Sequence, residues 1–383
     1  MTQWRRVTVG EVAEVAIGPF GSSLKADLYV RDGMPVVSGM HLGRSISPSL
    51  DGADCVDQAT VQRLERSVLR PGDLVFPHRG SIGRVGLVDR PMMMSTSMMR
   101  ARFGPSVLPQ FAYWYFVAEG NRQLLTMASS VGTPGIGQPL ASLKSVPFLL
   151  PDLDVQQGIA EVLGALDDKI AANRRVIDGG HKIAQFRVEV ALGDADRCRV
   201  GDVAEFLNRK RVPLSKGERE ARPGEVPYYG AAGRLDTVDD SLFDEPLVLV
   251  GEDGTVITDE GRAVVQYIWG PSWVNNHAHV LRGTTVSTSL LRWLVYRAEV
   301  RHLVTGAVQP KISMGNLKTL ELAVPGKDVR GALEDECDMF AAQERALSEE
   351  NETLAKTRDE LLPLLMSGKI TVKDAEKRVE GVV

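Results

Sequence analysis

Val9-Gly10-Glu11-Val12-Ala13-Glu14-Val15 near the N-terminus is answered 191 residues later by Val200-Gly201-Asp202-Val203-Ala204-Glu205-Phe206. Repetition of this kind governs architecture and is read before local propensity. Working outward, Gln138-Pro139 followed by Leu143-Lys144-Ser145 is matched with Gln309-Pro310 followed by Leu317-Lys318-Thr319. Each cluster runs into a short apolar strand, Val146 to Leu150 or Leu320 to Val324, and the offset there has fallen to 174. The halves share their ends and differ by 17 residues in between, which reads as two related domains with different interior loops.

A proline stops each strand, Pro151 or Pro325, and a long segment of helical period begins at Asp154 or Asp328. In the first segment Ile159, Leu163, Leu166, Ile170, Asn173 and Ile177 recur at alternating spacings of four and three. In the second, Leu333, Cys337, Phe340, Glu344, Leu347, Asn351 and Leu354 hold the equivalent register. That is a coiled-coil seam, with Asn173 and Asn351 as polar positions that set register at some cost in stability. Residues 155 to 190, wholly helical, would span roughly 54 Å. The alternative is that each helix caps its own domain. Within the domains short apolar runs such as Leu74 to Phe76 and Leu247 to Val250 alternate with Gly, Pro and Ser clusters. Helices are expected at Gln110 to Met127 and Leu290 to Thr305, their aromatics (Phe111, Tyr113, Trp114, Phe116, Trp293, Tyr296) belonging to the core.

Composition narrows the function. Net charge is −5, from 45 basic and 50 acidic residues, which argues against a protein that grips phosphates unaided. The balance is uneven: residues 1–150 carry 15 basic against 11 acidic side chains, and residues 327–383 carry 9 against 14. A mildly basic front suits nucleic acid and an acidic tail suits protein. No apolar run approaches the roughly 20 residues of a membrane helix. The opening Met-Thr-Gln-Trp-Arg-Arg lacks a signal core, so a cytosolic protein is expected. Cys55, Cys198 and Cys337 are far apart and are expected to be buried reduced thiols rather than a disulfide or zinc set.

Catalytic motifs are sparse. There is no Asn/Asp-Pro-Pro-aromatic element of a methyltransferase and no P-loop. Gly132-Thr133-Pro134-Gly135-Ile136-Gly137 has the wrong spacing for a dinucleotide loop. His277 and His279 would share one face of a strand, as metal ligands do, but no third ligand accompanies them and a structural role is expected. No catalytic triad or carboxylate pair stands out.

Five segments stand in order along the chain: Trp4 to Gly10, Gly72-Asp73-Leu74-Val75 with Arg79-Gly80-Ser81-Ile82-Gly83, and Gln156 through Asn173. Val274-Asn275-Asn276-His277-Ala278-His279-Val280 and Leu362-Pro363-Leu364-Leu365-Met366-Ser367-Gly368-Lys369-Ile370 complete the set. On these segments, over essentially its full length, the chain resembles the specificity subunits of type I restriction-modification systems. Asp328-Val329-Arg330-Gly331 departs from the family's helix opening, more than Val155-Gln156-Gln157 does. The resemblance implies an α+β chain of two pseudo-repeated mixed α/β target-recognition domains, separated by two long helices that form an antiparallel coiled coil. The expected layout is domain one at 1–151, the first spacer helix at 152–192, domain two at 193–326, and the second helix with a tail at 327–383.

It further implies a non-catalytic subunit whose partners are double-stranded DNA, two methyltransferase subunits and restriction/translocase subunits. S-adenosylmethionine, ATP and magnesium would then belong to those partners, with no cofactor in this chain. Base readout favours Arg, Lys, Asn, Gln, Ser and Thr on loops. The base-contact candidates are Arg79, Ser81 and Arg84 in the first glycine-rich loop, Thr133 and Gln138 in the second, and Asn275, Gln309 and Lys311 in the other half. Lys25, Lys210 and Arg211 are the phosphate candidates, and Asp167, Arg174 and Arg175 face away from the seam toward a protein partner. A reading from another class is a two-domain coiled-coil adaptor that binds protein alone; an enzyme ranks third.

Overall fold

A computed structural model describes residues 4–43, 45–129, 132, 134–193, 195–306 and 308–381. The chain divides into two compact units, residues 1–173 with 350–383, and residues 174–349. The division runs through both long helices, α1 (Leu153–Ala191) and α2 (Lys327–Met366). Each unit therefore holds one domain together with part of each helix.

In the first unit Arg5–Thr8 pairs antiparallel with Pro147–Leu150, and a four-stranded sheet runs in the order Ala13–Ile17, Met98–Phe103, Leu74–Pro77, Gly86–Leu87. A second, five-stranded sheet contains the parallel pair Met34–Val37 and Met92–Met94. The second unit repeats this plan. Asp196–Arg199 pairs with Glu321–Val324, and the four-stranded order is Ala204–Phe206, Ala278–Gly283, Leu247–Gly251, Val265–Ile268. Its second sheet has four strands around the parallel pair Val226–Tyr229 and Pro271–Val274. The two domains thus share the first sheet and differ in the second.

The continuous apolar strands follow from burial on both faces, which removes the alternation expected of a half-wet sheet. Leu74 and Phe76 enter the main core of their unit while Val75 enters a second cluster with Met98. Val248 and Val250 likewise face one core, and Leu247 and Leu249 another. Helix Thr288–Arg297 ends earlier than its periodicity suggested, because Ala298 leaves the helical region and a separate turn forms at Arg301–Leu303. Of the cysteines only Cys337 is buried; Cys55 and Cys198 are half-buried, a correction to the expectation for all three.

The helices run antiparallel within each unit. In the first, Asn173 Nδ2 donates to Glu350 Oε2 at 2.7 Å and to Asn351 Oδ1 at 3.1 Å, and Arg358 pairs with Asp167. In the second, Arg187 pairs with Glu336, and His181 Nε2 lies 3.1 Å from Glu344 Oε1. Ile159, Leu163, Leu166 and Ile170 are buried in one cluster with Leu354, Leu361 and Leu365 of α2 and with Phe111 and Phe148 of the domain. Leu333, Cys337 and Phe340 pack with Ala184 and Val188 of α1 and with the core of the second domain. Pairing and capping are therefore one arrangement. Ile177, Leu347 and Asn351 are only half-buried. The seam continues past Ile177 through Gly180, where a β-carbon would lie 3.5 Å from Phe340 Cδ1.

Leu163→Ala, at a fully buried position, should cost roughly 2–5 kcal/mol in urea unfolding. Val176→Ala, on the same helix but 46% exposed, should stay within about 0.5 kcal/mol. Equal costs at both sites would refute the packing described here.

Candidate nucleic-acid interface

Four backbone hydrogen bonds tie the loops at one end of the first domain, and the same four recur in the second. Ser95 N to Val37 O (3.0 Å) corresponds to Asn275 N to Tyr229 O (3.1 Å), and His78 N to Ser97 O (2.9 Å) to Glu252 N to His277 O (2.8 Å). Gly80 N to Pro134 O (2.9 Å) corresponds to Gly254 N to Pro310 O (3.0 Å), and Ile136 N to His78 O to Ile312 N to Glu252 O, both 2.9 Å. Gly80 and Gly254 share a left-handed backbone, φ +79° and +78°, which favours glycine at this turn. These bonds match Pro310 to Pro134, not to Pro139. The sequence pairing of Gln138-Pro139 with Gln309-Pro310 is corrected accordingly: a backbone carbonyl, which any residue supplies, carries the equivalence.

Spaced loops on a shared frame are where base-reading side chains would sit. Arg79 is exposed and bridges to Gly135 through its backbone, Ser81 is half-buried against Gly39, and Gln138 is exposed ahead of helix Pro139–Ser145. Lys25, Lys210, Gln309 and Lys311 are exposed. Thr133 lies outside the described residues. Three candidates also make hydrogen bonds that hold their own loops. Arg84 Nη1 donates to Gly39 O at 3.1 Å and Leu42 O at 3.2 Å. Asn275 is buried, and its Oδ1 accepts from His277 N at 2.8 Å. Arg211 donates to Glu252 Oε2 and Ala278 O, both at 2.7 Å, and to Asn208 O at 3.0 Å. Asp167 is taken by Arg358, whereas Arg175 is exposed.

A family model described as the type I restriction modification DNA specificity domain matches residues 1–178 and 194–329. The chain belongs to that family. A Haemophilus influenzae protein described as a type I restriction enzyme specificity subunit is 26% identical over 130 residues, 34% of this chain and 33% of the relative, so the match spans about a third of that protein's length. The crystal structure of a type I restriction-modification S subunit from M. genitalium superposes with a TM-score of 0.61 at 15% identity, covering 94% of this chain and 96% of the other. A chain from a study of type I complex assembly and conformational transition gives a TM-score of 0.42 at 16% identity, covering 96% and 98%.

In this member of the family the two loop frames differ in charge. Where the first domain places His78, the second places Glu252. Burial pushes the His78 imidazole below its ordinary value and favours the neutral form. Burial pushes the Glu252 carboxyl up, but the hydrogen bond from Arg211 and the charges of Arg211 and Lys311 outweigh it and hold it below the usual carboxylate range. His279 is fully buried, with Nε2 2.8 Å from Ile312 O and Nδ1 2.9 Å from Asn208 Nδ2. Asn208 Oδ1 accepts from Val280 N at 2.9 Å, which leaves its amide as donor to Nδ1, so the ring is neutral with its proton on Nε2. His277 instead pairs with Asp253. The histidine pair therefore braces two separate contacts. Among the described residues no group of three His, Cys, Asp or Glu is placed to hold a metal.

Sequence reasoning missed Asn208 and Glu252, since a lone Asn or Glu in a loop carries no spacing signal. Burial pushes His279 below its ordinary 6.5, so its contribution to stability is complete above about pH 6.5 and is lost as pH falls toward the folded-state value. The urea midpoint of the wild-type chain should drop between pH 7.5 and 5.5, and that of His279→Gln should drop less. Equal drops would exclude His279 as the source.

Proposed function

We propose that this chain reads a split DNA target, one half per domain, on behalf of methyltransferase subunits. The repeated four-bond frame supports the reading best: one scaffold presents different side chains at matching positions, His78 against Glu252, as two readers of different half-sites require. Family membership supplies the kind of complex in which it would act. In this reading Arg79, Ser81, Thr133, Gln138, Gln309 and Lys311 contact bases, and Lys25 and Lys210 contact phosphates. Arg84, Asn275 and Arg211 shape the loops.

The chain itself carries out no chemistry. Two methyltransferase subunits would use S-adenosylmethionine, and restriction/translocase subunits would use ATP and magnesium, all in the cytoplasm. A reader with net charge −5 leaves much of the phosphate neutralisation to such partners. The paired helices would act as the spacer whose length sets the unread gap.

A map of methylated bases in cells with and without this gene tests the proposal. A bipartite motif with a fixed gap should lose methylation on deletion. An unchanged map in cells with an active methyltransferase partner would reject DNA reading in favour of a protein-binding adaptor.

A further inference from the structure

The three most exposed large apolar side chains among the described residues, Val308 at 100%, Phe20 at 82% and Met40 at 73%, all lie on the loop ends of the two domains. Phe20 and Met40 share the first domain. Neither belongs to a core cluster, so the fold gains nothing from their size.

Both tips stand on fixed bases. Phe20 follows Gly18, whose backbone is so close to Ser95 that a β-carbon would fall 2.1 Å from the Ser95 carbonyl oxygen. Met40 sits on the turn Gly39–His41, which Arg84 holds through Gly39 O and which His41 Nδ1 closes by accepting from Ser38 N at 3.0 Å. Ser95 N donates to Val37 O, so both loops are anchored to one segment. Counting from the strand registers, in which Glu14 faces Arg102 as Glu205 faces Arg282, and from the bond of Ser95 N to Val37 O that recurs as Asn275 N to Tyr229 O, the second domain has Arg211 in the place of Phe20 and Ala232 in the place of Met40.

Resting on the DNA-reading function above, we propose that Phe20 and Met40 press on the C5-methyl group of a thymine in the half-site read by the first domain. That methyl is the one apolar group on the base edges of the major groove, and apolar side chains are its natural partners. Phosphate recognition needs donors or positive charge, which neither residue has. The contact therefore adds selectivity without adding general affinity for DNA, whereas Arg211, in the place of Phe20, is held by Glu252 Oε2 and Ala278 O in the second domain.

The test uses the complex of this chain with its methyltransferase partners and a duplex bearing the motif read from the methylation map. Phe20→Ala/Met40→Ala should weaken binding at least fourfold and leave the slope of log affinity against log salt unchanged, since no phosphate contact is lost. Replacing one thymine of that half-site by uracil should weaken the wild-type complex about fourfold, as loss of one buried methyl implies, and leave the double variant unaffected. Unchanged binding by the double variant overturns the proposal. So does a loss that every thymine-to-uracil change leaves additive, which would indicate a wedge between bases or a structural role. Lys25→Ala, by contrast, should lower the salt slope. A wild-type complex that shows no preference for any motif would instead reject the DNA-reading function itself.

Discussion

Two helices of 39 and 40 residues carry apolar stripes that water will not tolerate, and the way those stripes are covered determines the rest of the structure. Leu163 and Leu166 cannot be assigned to a helix pair or to a domain core, because both surfaces meet on them. Helix pairing and domain packing are thereby coupled: opening the seam between 153–170 and 354–366 would expose Phe111 and Phe148 as well. Helical propensity alone does not supply this stability, since isolated helices in water are marginal even at favourable composition. The boundary between the two units falls at 173/174 and 349/350, beside the polar layer of Asn173, Glu350 and Asn351. A polar layer suits register more than strength.

The loop ends follow a different logic. Their frame is made of backbone bonds, which place no demand on side-chain identity beyond a glycine at Gly80 or Gly254 and, in the first domain, at Gly18. The side chains are thus free to change without loss of the frame. The first domain exploits this with a neutral buried His78, and the second with Glu252 among three cationic or titratable partners.

How much of this the sequence revealed depends on which part of the residue does the work. Side chains repeated at fixed spacing were readable, so both long helices appear at 153–191 and 327–366, close to expectation, and the seam positions Ile159 to Ile170 are buried. The seam beyond Ile177 was hidden because Gly180 has no side chain to continue the pattern. The equivalence of Pro134 and Pro310 was hidden because it is a property of carbonyls. Residue type alone nominated Arg84 and Arg211 as DNA contacts, yet a guanidinium satisfies backbone carbonyls as readily as bases. Only the fold shows which it meets here.

The same reasoning bears on why a DNA reader can be acidic. Non-specific affinity grows with the number of phosphates neutralised, so a reader that gripped phosphates strongly would be held at every site along the duplex. Arg84 donates to Gly39 O and Leu42 O in one domain and Arg211 to Glu252 and Ala278 O in the other, where they stiffen loops. Stiff loops lose less entropy on ordering against a target, and apolar or uncharged tips discriminate between base edges without raising the background. On the proposed reading the balance of charge is part of the specificity: partners would supply the grip, and this chain the difference between one sequence and the next.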